Sequence, residues 1–280
     1  MKYIKLNDGN EMPILGFGVF QIPEEETATV VLNAVKAGYR LFDTAQIYGN
    51  EKPVGKALKE SGVDRNNFFI TSKIWISNAG YAKAKASIDK SLEDLQTNYI
   101  DLMLVHQPFG DYYGTWRALE EAKQAGKIKS IGVSNFAPVL VEDLITFNNI
   151  SPTLNQIELN PFYQRQDEVS FYKNKEIQIQ SWASFAEGKN GIFTNEILAK
   201  IGNKYNKSVA QVILRWLIQN DIAVIPKSVT PSRIKENINV FDFELTKEDI
   251  IAIEQLDLGT TQFFDPTKPE TVLDLAQYKL

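Results

Sequence analysis

The chain has 280 residues, 44% of them hydrophobic and 23% charged, with a net charge of −5. That length suits two average domains or one large α/β domain, and a single domain of this size buries most of its chain surface without staples. The acidic balance argues against broad nucleic-acid binding. The absence of cysteine rules out disulfides and thiolate metal sites, and no window reaches the ~18 apolar residues of a membrane span. Residues Met1–Asn10 lack the apolar core of a signal peptide, which together with the missing cysteines suits a cytoplasmic protein.

Tyr3–Leu6 and Glu11–Met12 flank an Asp8-Gly9 turn and predict a β-hairpin. Leu15–Gly18 reads as a short buried strand. Glu24–Ala37 carries apolar residues at Val30, Val31, Ala34 and Val35, the spacing of a helix face, and Gly38 ends it. The pattern then repeats. Strand Leu41–Asp43 precedes helix Glu51–Glu60, strand Phe68–Lys73 precedes helix Ala82–Leu95, and strand Ile100–His106 precedes helix Thr115–Ala125. Strand Ile128–Ser134 is followed by helix Pro138–Phe147, strand Thr153–Leu159 by helix Gln166–Asn174, and strand Ile177–Trp182 by helices Glu196–Tyr205 and Val209–Gln219. Ser208 and Gln211 form a capping-box signature before the last of these. Strand Ala223–Lys227 leads to helix Pro231–Asn239, Thr246 opens a further helix through Leu256, and Gly259–Leu280 reads as largely irregular.

This amounts to eight strand–helix units of roughly 30 residues, with no Pro/Gly/Ser linker to divide residues 1–280 into separate domains. The strands are continuous apolar runs, as in a parallel sheet covered on both faces. The expected fold is a (β/α)8 TIM barrel with an N-terminal β-hairpin and extra helices near the C-terminus. An open doubly wound sheet is the alternative, but no Gly-x-Gly-x-x-Gly turn follows the first strand.

In such a barrel the chemistry sits at the C-terminal ends of the strands. Three consecutive strands end in Asp43, Lys73 and His106, and Tyr48 stands on the loop after the first of them. Taken singly, each has a blander explanation: a rim ion pair, a satisfied histidine, a surface phenol. In this strand order the four converge. A phenol is a weak acid, with a pKa of about 10. A neighbouring ammonium favours its phenolate, so Lys73 would ease proton donation by Tyr48. Asp43 would hold Lys73, and His106 would orient a carbonyl oxygen. Such a donor suits carbonyl reduction, given a hydride source. A metal-dependent barrel hydrolase would need a cluster of ligands at the strand ends, and the chain has a single histidine.

Over essentially its whole length the chain resembles the aldo-keto reductase superfamily. The matching stretches are Gly38–Glu51, Phe69–Lys73, Ile100–His106, Ile131–Phe136, Asn155–Asn160 and Ile225–Asn237. The resemblance implies a (β/α)8 barrel that reduces aldehydes and ketones with NADPH. It places the catalytic tetrad on Asp43, Tyr48, Lys73 and His106, with Tyr48 as the general acid. It implies nicotinamide contacts from Ser134, Asn135 and Gln156, and stacking by Trp182, where Tyr is commoner. Ala183 and Ser184 would follow along the pyrophosphate, though the usual Ser-Pro-Leu is absent. Lys227, Ser228, Val229, Thr230 and Arg233 would hold the 2′-phosphate, and Glu236 and Asn237 the adenine. Phe20, Trp75, His106 and Gln107 would line the substrate pocket. Gln107 stands where many relatives place Trp, which makes one wall more polar and suits small polar carbonyls, such as α-keto or dicarbonyl compounds, besides aromatic aldehydes. Phe263 and Phe264 could pack near the barrel mouth or bury the tail against the body. A monomer is the state common in the superfamily, and a small carbonyl compound is the implied partner. A slow, cofactor-binding sensor barrel is the rival reading, opposed by the complete tetrad.

Overall fold

A computed structural model describes every residue from Met1 to Leu280. The hairpin pairs β1 (Tyr3–Lys5) with β2 (Glu11–Pro13) in antiparallel register, Ile4 opposite Met12. Apolar runs that lack polar alternation need cover on both faces, and the remaining strands have it. These are β3 (Phe17–Gly18), β4 (Leu41–Asp43), β5 (Phe69–Ile74), β6 (Ile100–Val105), β7 (Ile128–Ser134), β8 (Leu154–Glu158), β9 (Gln178–Trp182) and β10 (Ala223–Val224). They pair in chain order from β3 to β10, all parallel. Every residue of β4, β5, β6 and β8 is buried.

The two ends of the sheet meet. The Gly16 amide donates to the Val224 carbonyl and the Val224 amide to that of Ile14, both at 2.8 Å. A Cβ at Gly18 would lie 2.7 Å from the Ile225 carbonyl oxygen. The seam therefore requires glycine there, and the strands curl into a barrel.

The helices are α1 (Glu24–Ala37), α2 (Glu51–Glu60), α3 (Tyr81–Asp94), α4 (Tyr112–Gln124), α5 (Pro138–Phe147), α6 (Gln166–Asn174), α7 (Glu196–Tyr205), α8 (Val209–Gln219), α9 (Pro231–Ile238), α10 (Lys247–Glu254) and α11 (Pro269–Ala276). The apolar face expected on α1 is buried, and Gly38 stops the helix with φ at 106°. Both hydrogen bonds of the Ser208–Gln211 capping box form, worth about 1 kcal/mol. No helix is long and apolar enough to cross a membrane.

Four expectations are corrected. The strand expected over Ala223–Lys227 pairs only at Ala223–Val224, because the chain leaves the sheet at the seam. Leu15–Gly18 likewise narrows to Phe17–Gly18, with one isolated bridge from Leu15 to Val224. The helix expected from Thr115 begins at Tyr112, since the Asp111 carboxylate accepts the Gly114 amide at 2.7 Å and caps it early. The tail is not irregular throughout: α11 forms at Pro269, a residue whose fixed φ and missing N–H suit a first helical position.

Candidate active site

Asp43 ends β4, Lys73 lies near the end of β5, and His106 follows β6 directly, donating its backbone amide to Ile74 at 3.1 Å. Because these strands are neighbours, the three side chains converge on one mouth. Tyr48 reaches it from a single 3-10 turn, Gln46–Tyr48, closed by Gly49 with φ at 67°. That loop is tied down by buried polar groups. Thr44 Oγ1 donates to Asn50 Oδ1 at 2.8 Å, and Asn50 Nδ2 donates to the Val19 carbonyl at 2.9 Å. Gln46 donates to Ser91 Oγ and accepts from the Trp75 amide and from Asn78.

An ammonium has three N–H donors, and Lys73 uses all of them. They go to Asp43 Oδ1 at 2.5 Å, the Thr44 carbonyl at 2.8 Å and Tyr48 Oη at 3.3 Å. Lys73 is fully buried and Asp43 2% exposed. Burial pulls the Lys73 ammonium down, but Asp43 and Tyr48 more than reverse this, so the amine is held protonated. Burial pushes the Tyr48 phenol above its ordinary value, and the opposing pull of Lys73 does not overcome it. The sequence argument had the sign of the Lys73 effect right but omitted burial: the resting phenol keeps its proton. His106 is pulled well below the usual histidine range, first by burial and then by Lys73, and is neutral. Its Nδ1 is sealed off without a partner. Its ring packs edge-on against Trp75 and Tyr48, with centroids 4.9 and 5.7 Å away.

On the next strands Ser134, Asn135 and Gln156 gather beside the tetrad. Gln156 Nε2 donates to Asp43 Oδ2 at 2.8 Å, linking the two groups. Ser134 Oγ donates to the Gln156 carbonyl. Asn135, at φ 62°, accepts from Trp182 Nε1 at 2.8 Å. Trp182 is half-buried, and Phe264 stacks on one face of it at 5.6 Å and 17°. Phe263 meets its edge. The tail thus packs at the barrel mouth, the first of the two placements open from the sequence. Ala183 has φ at 49°, and Ser184 is buried with its hydroxyl against Ser181.

Lys227, Val229, Thr230 and Arg233 are exposed around the start of α9, and Ser228 Oγ accepts the Thr230 amide. Neither Lys227 nor Arg233 is in a salt bridge. Glu236 accepts from Ser208 and Asn237 is buried. Phe20 is exposed, 4.9 Å from the Tyr48 ring. Trp75 and Gln107 are buried, and Gln107 Oε1 accepts from Asn135 at 3.2 Å.

Three contributors escaped the sequence reading: the Thr44 carbonyl on Lys73, Gln180 on Gln156 at 2.7 Å, and the Tyr278 carbonyl, which accepts from Trp75 Nε1 at 2.8 Å. The first and last are backbone oxygens, which residue type cannot reveal. Gln180 gave little signal, because Gln178 and Ser181 make β9 polar on either side of it.

Glu51 supports the tetrad from behind, accepting from Ser72 Oγ at 2.5 Å and Ser91 Oγ at 3.2 Å. Burial pushes its carboxyl up to about 7. The folded state therefore holds this proton more tightly than the unfolded chain. That contribution to stability is fully present below pH 4.5 and is lost as pH rises through 7. It amounts to about 3 kcal/mol across the window. Glu51→Gln should remove it, so melting curves at pH 5 and pH 8 should lie closer together than in the wild type. An unchanged gap would sink this account.

The Aldo/keto reductase family profile matches residues 14–258. A methylglyoxal reductase of Yersinia pestis is 45% identical over 266 residues, covering 94% of this chain and 95% of that protein. A glyoxal reductase of Bacillus subtilis is 46% identical over 255 residues, covering 90% and 92%. The crystal structure of a Bombyx mori aldo-keto reductase in complex with NADP superposes with a TM-score of 0.89 at 34% identity, covering 94% of this chain and 95% of that one.

Proposed function

The chain belongs to the aldo/keto reductase family, and from that premise we propose that it reduces aldehydes and ketones to alcohols with NADPH, using Tyr48 as the proton donor. The observation that carries this is the buried Asp43–Lys73–Tyr48 chain, with neutral His106 beside it. When bound, the nicotinamide supplies the hydride. Tyr48 gives its proton to the carbonyl oxygen, and the N–H of Lys73 on Oη stabilises the phenolate as it forms. Asp43 fixes Lys73 in position and keeps it charged. Neutral His106 has one N–H; with Nδ1 sealed and partnerless, the proton belongs on Nε2, where it can orient the carbonyl.

The residues present fit this cofactor. Asn135 and Gln156 offer amide groups to a carboxamide, and the half-buried Trp182 keeps one face free of Phe264 for a planar ring. Lys227 and Arg233 are cations without carboxylate partners beside the hydroxyls of Ser228 and Thr230 and the first turn of α9, a donor set suited to a phosphate. Ala183 and Ser184 lie between the two groups in sequence. Glu236 and Asn237 remain the adenine candidates.

For substrate, the reading favours small 1,2-dicarbonyls. The relatives named above reduce such compounds by their descriptions, and Gln107 puts a carboxamide, not an apolar ring, next to His106, while Phe20 packs on the Tyr48 ring and Trp75 on the His106 ring. Gln107 Nε2 makes no hydrogen bond within the protein, which leaves a donor for a second carbonyl oxygen. The test is NADPH consumption over a panel of aldehydes, ketones and dicarbonyls, for wild type and Gln107→Trp. Wild type should rank dicarbonyls first, and the variant should lose about tenfold on them relative to aromatic aldehydes. An unchanged ranking would refute the role of Gln107. Cofactor binding without turnover of any carbonyl would refute the reductase itself.

A further inference from the structure

We propose that Gln180 is a positioning residue that turns the carbonyl of Gln156 toward the amide group of the bound nicotinamide, and so makes the site selective for a primary carboxamide. The proposal rests on the reading of the site as a nicotinamide site. Gln180 lies on β9 directly opposite Gln156 of β8 in the strand register and is fully buried. Its Oε1 accepts from Gln156 Nε2 at 2.7 Å, while Asp43 Oδ2 accepts from the same nitrogen at 2.8 Å. A primary amide nitrogen carries two hydrogens, so both are taken by fixed acceptors. Gln156 Oε1 takes no hydrogen bond from the protein and is left as a lone acceptor.

The arrangement is costly, which argues for a use. Holding its oxygen toward Gln156 leaves the Nε2 of Gln180 buried without any partner, and orphaned buried donors are rare. The neighbouring amide is polarised in the opposite sense. Trp182 Nε1, which can only donate, fixes Asn135 Oδ1. Asn135 Nδ2 is thereby turned away, with only contacts of 3.2–3.5 Å to Gln107, Ser134 and the His106 carbonyl. Gln156 thus offers the free acceptor for the N–H of a carboxamide, whereas the Asn135 donor is already engaged by these three acceptors.

The test compares dissociation constants for NADP+ and for its 3-acetylpyridine analogue, in which a methyl replaces the amide NH2 and the carbonyl is kept. Wild type should bind NADP+ about tenfold more tightly than the analogue, the difference expected from one hydrogen bond. Gln180→Met removes the acceptor at similar volume. It should weaken NADP+ binding about tenfold and leave the analogue within about twofold, erasing the discrimination. Gln180→Glu keeps an acceptor and should retain it. Equal weakening of both ligands in Gln180→Met, or lost discrimination in Gln180→Glu, would overturn the proposal while leaving the nicotinamide site intact. Failure of wild type to bind either dinucleotide would overturn the site reading and the proposal with it.

Discussion

Tyr48→Phe is expected to lower kcat for carbonyl reduction about 10²–10⁴-fold, the usual contribution of a positioned general acid, with NADPH affinity within about threefold of wild type. Of the ionisable groups gathered here, the Tyr48 phenol is the one left to act as an acid. Lys73 is committed to three acceptors, and His106 is neutral. Burial keeps Tyr48 above its ordinary value, so the acid form persists through the neutral range and reduction should vary little with pH there. Oxidation of an alcohol needs the phenolate, and its rate should climb as pH rises. Folding should barely change, because the ring still packs beside Phe20 and His106 and Lys73 loses only its longest contact, worth about 1 kcal/mol. Stopped-flow absorbance of NADPH with parallel fluorescence titration would measure both quantities. Wild-type turnover in the Phe variant would remove Tyr48 from the role of acid.

Lys73→Met should damage both activity and stability. Deleting the ammonium leaves the Asp43 carboxylate, 2% exposed, with the Gln156 N–H as its remaining side-chain partner. Breaking a buried ion pair on one side costs about 3–5 kcal/mol, which corresponds to a fall in Tm on the order of 10 °C in a chain of this size. The sign of the pH effect follows. Without Lys73 the buried carboxyl is relieved by taking up a proton, so the deficit should shrink as pH falls. Removing the charge on the other side as well, in Asp43→Asn/Lys73→Met, should recover most of the lost stability and none of the activity. Calorimetry of the three proteins at pH 5 and pH 8 would decide this. A double variant as unstable as the single one would show that packing around Nζ, rather than the orphaned charge, sets the cost.

Local signals were enough to place most elements. The boundaries of α1, α2, α5, α6, α7 and α8 agree with the sequence reading, because each is set by something local: Gly38 at an end, Pro138 at a start, the Ser208–Gln211 box. The tetrad was legible for a similar reason. Asp43 and His106 each close an apolar run, Lys73 lies near the end of the strand between them, and parallel strands in chain order bring such ends together. The short seam strands were overread because apolar composition records burial, not pairing. The α11 helix was missed because a tail of mixed character gives little periodicity, and Pro269 was its one start signal.

The sequence by itself determined the strand–helix order and the residues gathered at the candidate site, since both rest on short-range pattern: apolar spacing, caps, and ionisable residues near strand ends. Tertiary structure decided the protonation states and the hydrogen-bond directions. Burial overrides the effect of Lys73 on Tyr48, the Thr44 carbonyl completes the shell of Lys73, Phe264 covers Trp182 from 82 residues away, and Gln180 orients Gln156. These depend on desolvation and on contacts between segments distant in the chain. Desolvation is a property of everything packed around a group, so no reading of neighbouring residues along the sequence supplies it.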